Sequence, residues 1–331
     1  MRTYLGVDGG GSKTRFLLID ENGKVLACHT EGSAYHLEIG LAALKAMLMR
    51  GAGYALQEAG LASSQLTFAF FGLPAYGEDR VLQAKLDAAP AGALPAGNYR
   101  CGNDMVCGWA GALAGAEGIS VTAGTGSIAY GEYGGRSARA GGWGELFSDE
   151  GSAYWLAREG LRIFSRMSDG RSPRGALYTV VRRHFSLQED LELCAAIYGT
   201  SVAQRSQLAQ LARLVAEAAA AGDAAACALF TQAAAELADI VDAVRDRLCV
   251  PAGLQLPLSY SGGMFQLPEL LLARFAAALA NRTRSYRLLP ARLPPDAGAA
   301  LQAAKLAGSP LPGTSIGVLG EQLARQECAA R

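Results

Sequence analysis

A chain of 331 residues is long enough for about two domains of the usual size, and with half its residues hydrophobic it has ample material for ordinary cores. Thirty basic and thirty acidic residues cancel with no block of like charge, which argues against a nucleic-acid binder. Charge and glycine arrive too early after Met1 for a signal peptide, and no apolar run approaches the roughly 20 residues that span a bilayer, so a cytoplasmic protein is expected, with no membrane partner.

In chain order, residues 3–8 are an apolar strand candidate that stops in Asp8-Gly9-Gly10-Gly11-Ser12. Thr14 to Asp20 is a second strand, Glu21-Asn22-Gly23-Lys24 a hairpin turn, and Val25 to Thr30 a third strand. Leu37 to Leu61 has helical periodicity, weakened by Gly51 and Gly53. Thr67 to Gly72 reads as a buried strand, residues 88–98 as a Pro/Gly/Ala loop, Tyr99 to Gly102 as a short strand, and residues 105–114 as helix.

The pattern then restarts. Ile119 to Ala123 is a strand that ends in Gly124-Thr125-Gly126-Ser127, followed by strands from Ser127 to Tyr133 and from Ser137 to Ala140. Ala/Leu-rich helices are predicted near 151–166, 205–221 and 223–248. Leu256 to Ser261 is a late strand, and helices near 267–281 and 296–307 close the chain. Two successive units of hairpin strands and helices predict an α/β duplication, with domains at 1–115 and 116–331. Seven cysteines without a C-x-x-C pair, and three histidines, make neither a disulfide framework nor a structural zinc site; buried or inert thiols are expected.

The glycine loops carry the chemistry. Gly10, Gly11, Ser12, Lys13 and Thr14 lie between two strands, where backbone N–H groups can close around phosphate oxygens and hydroxyls can add donors. A glycine-rich hairpin turn is the plainer reading. The loop is neither a P-loop nor a dinucleotide fingerprint. Asp8 tips the balance, because a carboxylate beside a phosphate loop repels the ligand unless a divalent cation such as Mg²⁺ lies between them. Gly124, Thr125, Gly126 and Ser127 repeat the chemistry in the second unit.

Asp8-Gly-Gly-Gly-Ser-Lys-Thr resembles the first phosphate motif of the actin, sugar-kinase and heat-shock ATPase superfamily. Gly124-Thr125-Gly126-Ser127 resembles its second phosphate motif, and Ser261-Gly262-Gly263-Met264 its adenosine motif. The run from Gly141 to Trp155, GGWGELFSDEGSAYW, is similar to the signature of N-acetylglucosamine kinases and their bacterial relatives. The resemblance implies two RNase H-like domains with a nucleotide cleft between them, use of ATP and Mg²⁺, and phosphoryl transfer to the 6-hydroxyl of an amino sugar. A homodimer is implied in the same way.

By that resemblance Asp104 is the catalytic base, although a helix cap is the commoner role of an aspartate at a strand end. Ser12 and Thr125 contact phosphates, Gly262, Gly263 and Gln266 lie by the nucleoside, and Gly142, Trp143, Gly144 and Asp149 meet the sugar. Glu150 is expected to cap the following helix. The family places an asparagine in the loop after the third strand, where Tyr35 stands, and a small hydroxyl residue where Leu73-Pro74 stands. Both departures bear on which sugar is accepted, and glucosamine is the nearest alternative. An activator ATPase of an acyl-CoA dehydratase or reductase is a rival, but its pattern has a cysteine three residues before the second loop, where this chain has Val121. A sugar-binding regulator on the same scaffold would carry a further DNA-binding module, for which no segment is seen ahead of the strand at residue 3.

Overall fold

The computed structural model describes residues 1–329. Contacts divide the chain into two units, one built from residues 1–116 together with those from 291 onward, the other from residues 117–290. The change of unit falls at 116/117. Residues from 291 onward, expected in the second domain, belong instead to the first.

In the first unit, β1 (Thr3–Gly9), β2 (Thr14–Asp20), β3 (Val25–Glu31), β4 (Phe68–Leu73) and β5 (Tyr99–Asn103) form a sheet in the order β3-β2-β1-β4-β5. β1 to β3 are an antiparallel meander, and β4 and β5 run parallel to β1. Asp20 shapes the hairpin, its Oδ1 accepting from the N–H groups of Asn22 at 2.8 Å and Lys24 at 2.9 Å. Side chains alternate across the strands, so Leu5, Val7, Phe16, Leu18 and Phe71 pack with the helix Leu41–Glu58, while Tyr4, Leu17, Ile19 and Phe70 pack with the helix Pro295–Leu306. A sheet covered on both faces needs continuous apolar strands rather than alternating ones.

That second covering explains why the chain returns. A Cβ on Gly6 would lie 2.2 Å from Ala300 N, and one on Gly298 would lie 2.1 Å from Cys107 O. The helix Pro295–Leu306 therefore rests backbone to backbone on β1 and on the helix Met105–Ala112. No periodicity argument shows such a contact, because its residues are distant in sequence and its signal is only missing side chains.

The second unit repeats the topology. β6 (Gly118–Ala123), β7 (Ser127–Tyr133), β8 (Arg136–Gly141), β9 (Leu256–Ser261) and β10 (Tyr286–Pro290) are ordered β10-β9-β6-β7-β8, with β9 parallel to β6 and β10 parallel to β9. β10 is a short edge strand ending in proline, a pattern too brief to read as a strand from sequence. The helix Ala224–Arg247 is long and apolar enough to cross a membrane by length and composition, contrary to the expectation that no such run exists. Its Leu229, Phe230, Ala233, Leu237, Val241 and Val244 are the centre of this unit's core. Its two buried charges are satisfied locally: Asp242 accepts from Arg282 at 2.7 Å and Arg245 donates to Leu254 O at 2.7 Å. Helices 80–87, 176–185, 192–198 and Gly313–Ala329, the last beyond the helix expected to close the chain, were not expected, and the helix expected at 205–221 is two, Arg205–Gln210 and Ala212–Ala220. Cys101 and Cys107 are buried thiols, but Cys194 and Cys249 are exposed.

Candidate functional site

In the first unit the candidate residues collect at the carboxyl edge of three parallel strands, where open α/β sheets bind ligands. Asp8 on β1 stands beside Gly72 on β4, and Leu73 beside Asn103 on β5. The Gly10 N–H donates to Lys13 O at 2.9 Å and closes the first loop, leaving Gly11, Ser12 and Lys13 exposed. Thr14 is buried, and its hydroxyl donates to Gly32 O at 2.8 Å. Its hydroxyl thus supports the loop from behind, while Ser12 remains on the open side. Tyr35 is half-buried next to this loop, which the Ala34 N–H joins by donating to Gly10 O at 2.9 Å.

Asp104 follows β5, its N–H donating to Leu73 O at 3.3 Å. The helix Met105–Ala112 is capped not by Asp104 but by Asn103, whose Oδ1 accepts from Met105 N–H at 3.1 Å. The Asp104 carboxylate makes no capping bond to that helix. Asp296, buried at the start of the helix Pro295–Leu306, adds a third carboxylate to the neighbourhood of Asp8 and Asp104. Arg15, opposite Asp8 on β2, gives its Nε–H to Asp296 at 2.8 Å. Burial, helped by the negative charges of Asp104 and Asp296, pushes the Asp8 carboxyl up from 3.8 to about 7 against the opposing pull of Arg15 and Lys13. Among the described residues no group of three His, Cys, Asp or Glu could hold a metal by itself. Half-buried Asp8 beside the exposed loop suits instead a Mg²⁺ carried mainly by phosphate oxygens and water.

The second unit repeats this edge. The Gly124 N–H donates to Gly126 O at 2.9 Å, and the amides of Ala153 and Tyr154 donate to Gly124 O and Thr125 O at 2.9 and 3.3 Å. Thr125 is exposed, whereas Ser127 is buried and its hydroxyl donates to Glu150 O at 2.7 Å. The loop after β9 arrives beside this one: a Cβ on Gly262 would fall 2.3 Å from Ala123 O, and Gly262 has φ +98°. Only glycine fits that corner. Gly263 and Gln266 are exposed there.

Trp143, between Gly142 and Gly144, is 68% exposed with the Arg139 guanidinium 5.5 Å from its ring centre. Asp149 behaves differently. It is 1% exposed, has φ +62°, accepts from Ser127 N–H at 3.3 Å and from Arg205 at 2.6 Å. Glu150 does not cap the helix Ala153–Ser168; Ser152 does, its Oγ accepting from Trp155 N–H at 3.2 Å. Val121 is a fully buried core residue of β6. Sequence reasoning missed Asp296 and Arg205. Pro294-Pro295-Asp296 reads as an ordinary helix start, and Arg205 lies 56 positions from its partner in a polar stretch.

The BadF/BadG/BcrA/BcrD ATPase family model matches residues 5–303. An N-acetyl-D-glucosamine kinase of Dictyostelium discoideum is 28% identical, over 91% of this chain and 97% of its own length. An N-acetylmuramic acid/N-acetylglucosamine kinase of Clostridium acetobutylicum is 30% identical, over 80% of this chain and 86% of its own. The crystal structure of a Chromobacterium violaceum protein, proposed there to be an N-acetylglucosamine kinase, superposes with a TM-score of 0.68 at 28% identity, covering 91% of this chain and 98% of that one.

Proposed function

The chain belongs to the BadF/BadG/BcrA/BcrD ATPase family, and from that premise we propose that it is an ATP-dependent kinase transferring a phosphoryl group to the 6-hydroxyl of an amino sugar, with N-acetylglucosamine as acceptor. Both named relatives are kinases of N-acetylated amino sugars. The observation that carries the reading is the convergence of Asp8, near the end of β1, and Asp104, just after β5, on either side of β4 beside the Gly10–Thr14 loop, near enough for the charge of Asp104 to raise the Asp8 carboxyl.

In this reading Asp104 takes the proton of the acceptor hydroxyl as its oxygen bonds to the γ-phosphorus and the bond to the leaving ADP oxygen breaks, a role worth roughly 10²–10⁴-fold in rate. The amides of Gly11 and Ser12 bind phosphate oxygens in the first unit and those of Thr125 and Gly126 do so in the second, while Gly10, Gly124 and Ser127, whose N–H groups bond to Lys13 O, Gly126 O and Asp149, hold the two loops in shape. Lys13 adds positive charge. Gly262, Gly263 and Gln266 contact the nucleoside. Trp143 offers a ring face to the sugar, flanked by Gly142 and Gly144, with Asp149 and Tyr35 as polar partners. Asp8 would hold Mg²⁺, which when bound neutralises the triphosphate and orients it. A cytoplasmic homodimer with a small-molecule substrate is the form that goes with this assignment.

The test is an acceptor panel of N-acetylglucosamine, glucosamine, N-acetylmannosamine and glucose with ATP and Mg²⁺, reading ADP release and the sugar phosphate. N-acetylglucosamine should give the highest kcat/KM. If no amino sugar raises ADP release above the acceptor-free rate, the acceptor assignment is wrong. If glucosamine leads, the N-acetyl preference is wrong.

A further inference from the structure

Arg205 has no place in the scheme above, yet it reaches the most constrained part of the second unit. Its guanidinium donates to Asp149 Oδ2 at 2.6 Å and lies 3.4 Å from Glu145 Oε2, and its terminal nitrogen is 2.4 Å from where a Cβ on Gly126 would stand. Asp149 needs such a partner twice over. A carboxylate that is 1% exposed is costly unless paired, and a non-glycine residue at φ +62° persists only where its surroundings hold it. Its other oxygen accepts from the Ser127 N–H of the second glycine loop at 3.3 Å.

One arginine therefore joins three segments: the Trp143–Asp149 loop, the Gly124–Ser127 loop and its own short helix. That helix is anchored in the core by Leu208. Arg158 adds a second hold on the same loop, donating to Glu145 O at 3.3 Å. At 43% side-chain exposure Arg205 is not there to fill the core. A guanidinium is suited to the task because its planar fork serves two acceptors at once.

We propose that Arg205 is a positioning residue for acceptor binding: it fixes the Asp149 carboxylate and, through Ser127 N–H, ties the acceptor loop to the second glycine loop. This rests on the reading that Asp149 contacts the acceptor. Loss of the fork frees Asp149 to turn away, so acceptor affinity falls, and falls more than nucleotide affinity, which is touched only indirectly through the Ser127 N–H.

The experiment compares wild type, Arg205→Ala, Arg205→Lys, Asp149→Asn and the Arg205→Ala/Asp149→Asn double variant, with thermal melts as the check on folding. KM for N-acetylglucosamine, KM for ATP and kcat are measured, with sugar binding followed separately by the change in intrinsic fluorescence, which is assigned to the exposed Trp143 by its loss in Trp143→Phe. Arg205→Ala should raise the sugar KM roughly tenfold or more, with a distinctly smaller rise in the ATP KM, and Arg205→Lys should fall between. The double variant should be no worse than Asp149→Asn alone, as expected of residues acting through one contact. Should Arg205→Ala fail to fold, Arg205→Lys carries the test, because it keeps a positive charge beside Asp149. An unchanged sugar KM in folded Arg205 variants, or additive effects in the double, overturns the proposal. A sugar response in wild type with no effect of Asp149→Asn removes Asp149 from the acceptor and the proposal with it. If wild type neither binds nor phosphorylates any amino sugar, the functional reading itself fails, and the proposal falls with it.

Discussion

Asp8→Asn should stabilise the protein even as it impairs the reaction. In the folded chain the Asp8 carboxyl titrates at about 7 against an ordinary 3.8, because burial and the charges of Asp104 and Asp296 oppose ionisation. Between those two pH values the folded state holds a proton that the unfolded chain has released, so stability falls as pH rises through that window. The cost is absent below about pH 4 and complete above about pH 7. At about 1.4 kcal/mol per pH unit the whole shift corresponds to about 4 kcal/mol. Asp8 keeps some contact with solvent, which brings the expected penalty to about 2 kcal/mol. Asparagine keeps the size and loses the charge. In EDTA and without nucleotide, the variant should melt about 5 °C above wild type at pH 8, with the gap closing as pH falls towards 4. Differential scanning calorimetry across that range is the assay. A variant that melts at or below wild type at pH 8, or a gap that does not change with pH, would refute the electrostatic account of this site.

Asp104→Asn, once shown to be folded, should lower kcat by roughly 10²-fold or more; single-turnover transfer at the wild-type rate would return Asp104 to a structural role. Trp143→Ala should raise the KM for N-acetylglucosamine roughly tenfold while leaving the melt alone, since most of the ring is exposed; an unaltered KM would remove the ring from the sugar. Gly298→Ala should cost about 3 kcal/mol or more, because its new methyl would meet the backbone of Cys107 and Gly111 rather than a side chain that can move. A denaturant midpoint equal to wild type would show that the helix Pro295–Leu306 shifts without penalty.

What the sequence made legible follows from how local each signal is. The strands of the two meanders, with the loops at 9–14 and 124–127, were readable because apolar runs stopping in glycine describe themselves. Asp8 was readable for the same reason: a charge at the end of a buried run stands out. Long-range features were not. Asp296 reaches Arg15 across 281 positions, and Arg205 reaches Asp149 across 56. Nothing near Pro294 or Gln204 points to those partners. β10 was lost because Tyr286–Pro290 pairs on one side only and carries a proline, so its strand character comes from β9 rather than from its own residues. The split of the expected helix at 205–221 near Leu211 has no turn residue to announce it. Capping was misassigned to Glu150 because acidity near a helix start is a weaker guide than the hydroxyl of Ser152, which reaches the third amide of its own helix.

The returning helix also sets an order of events during synthesis. On the ribosome residues 117–290 emerge as one continuous segment and can complete their own core before the returning segment from residue 291 is available. The sheet made first cannot. One of its faces, with Tyr4, Leu17, Ile19 and Phe70, is covered by Pro295–Leu306 and by Leu319 and Leu323, which are translated after the whole second unit. For most of the time the chain is being made, that face is open to water and to whatever binds nascent apolar surface. A ribosome stalled between residues 290 and 295 therefore leaves behind a folded second unit attached to an unfinished first.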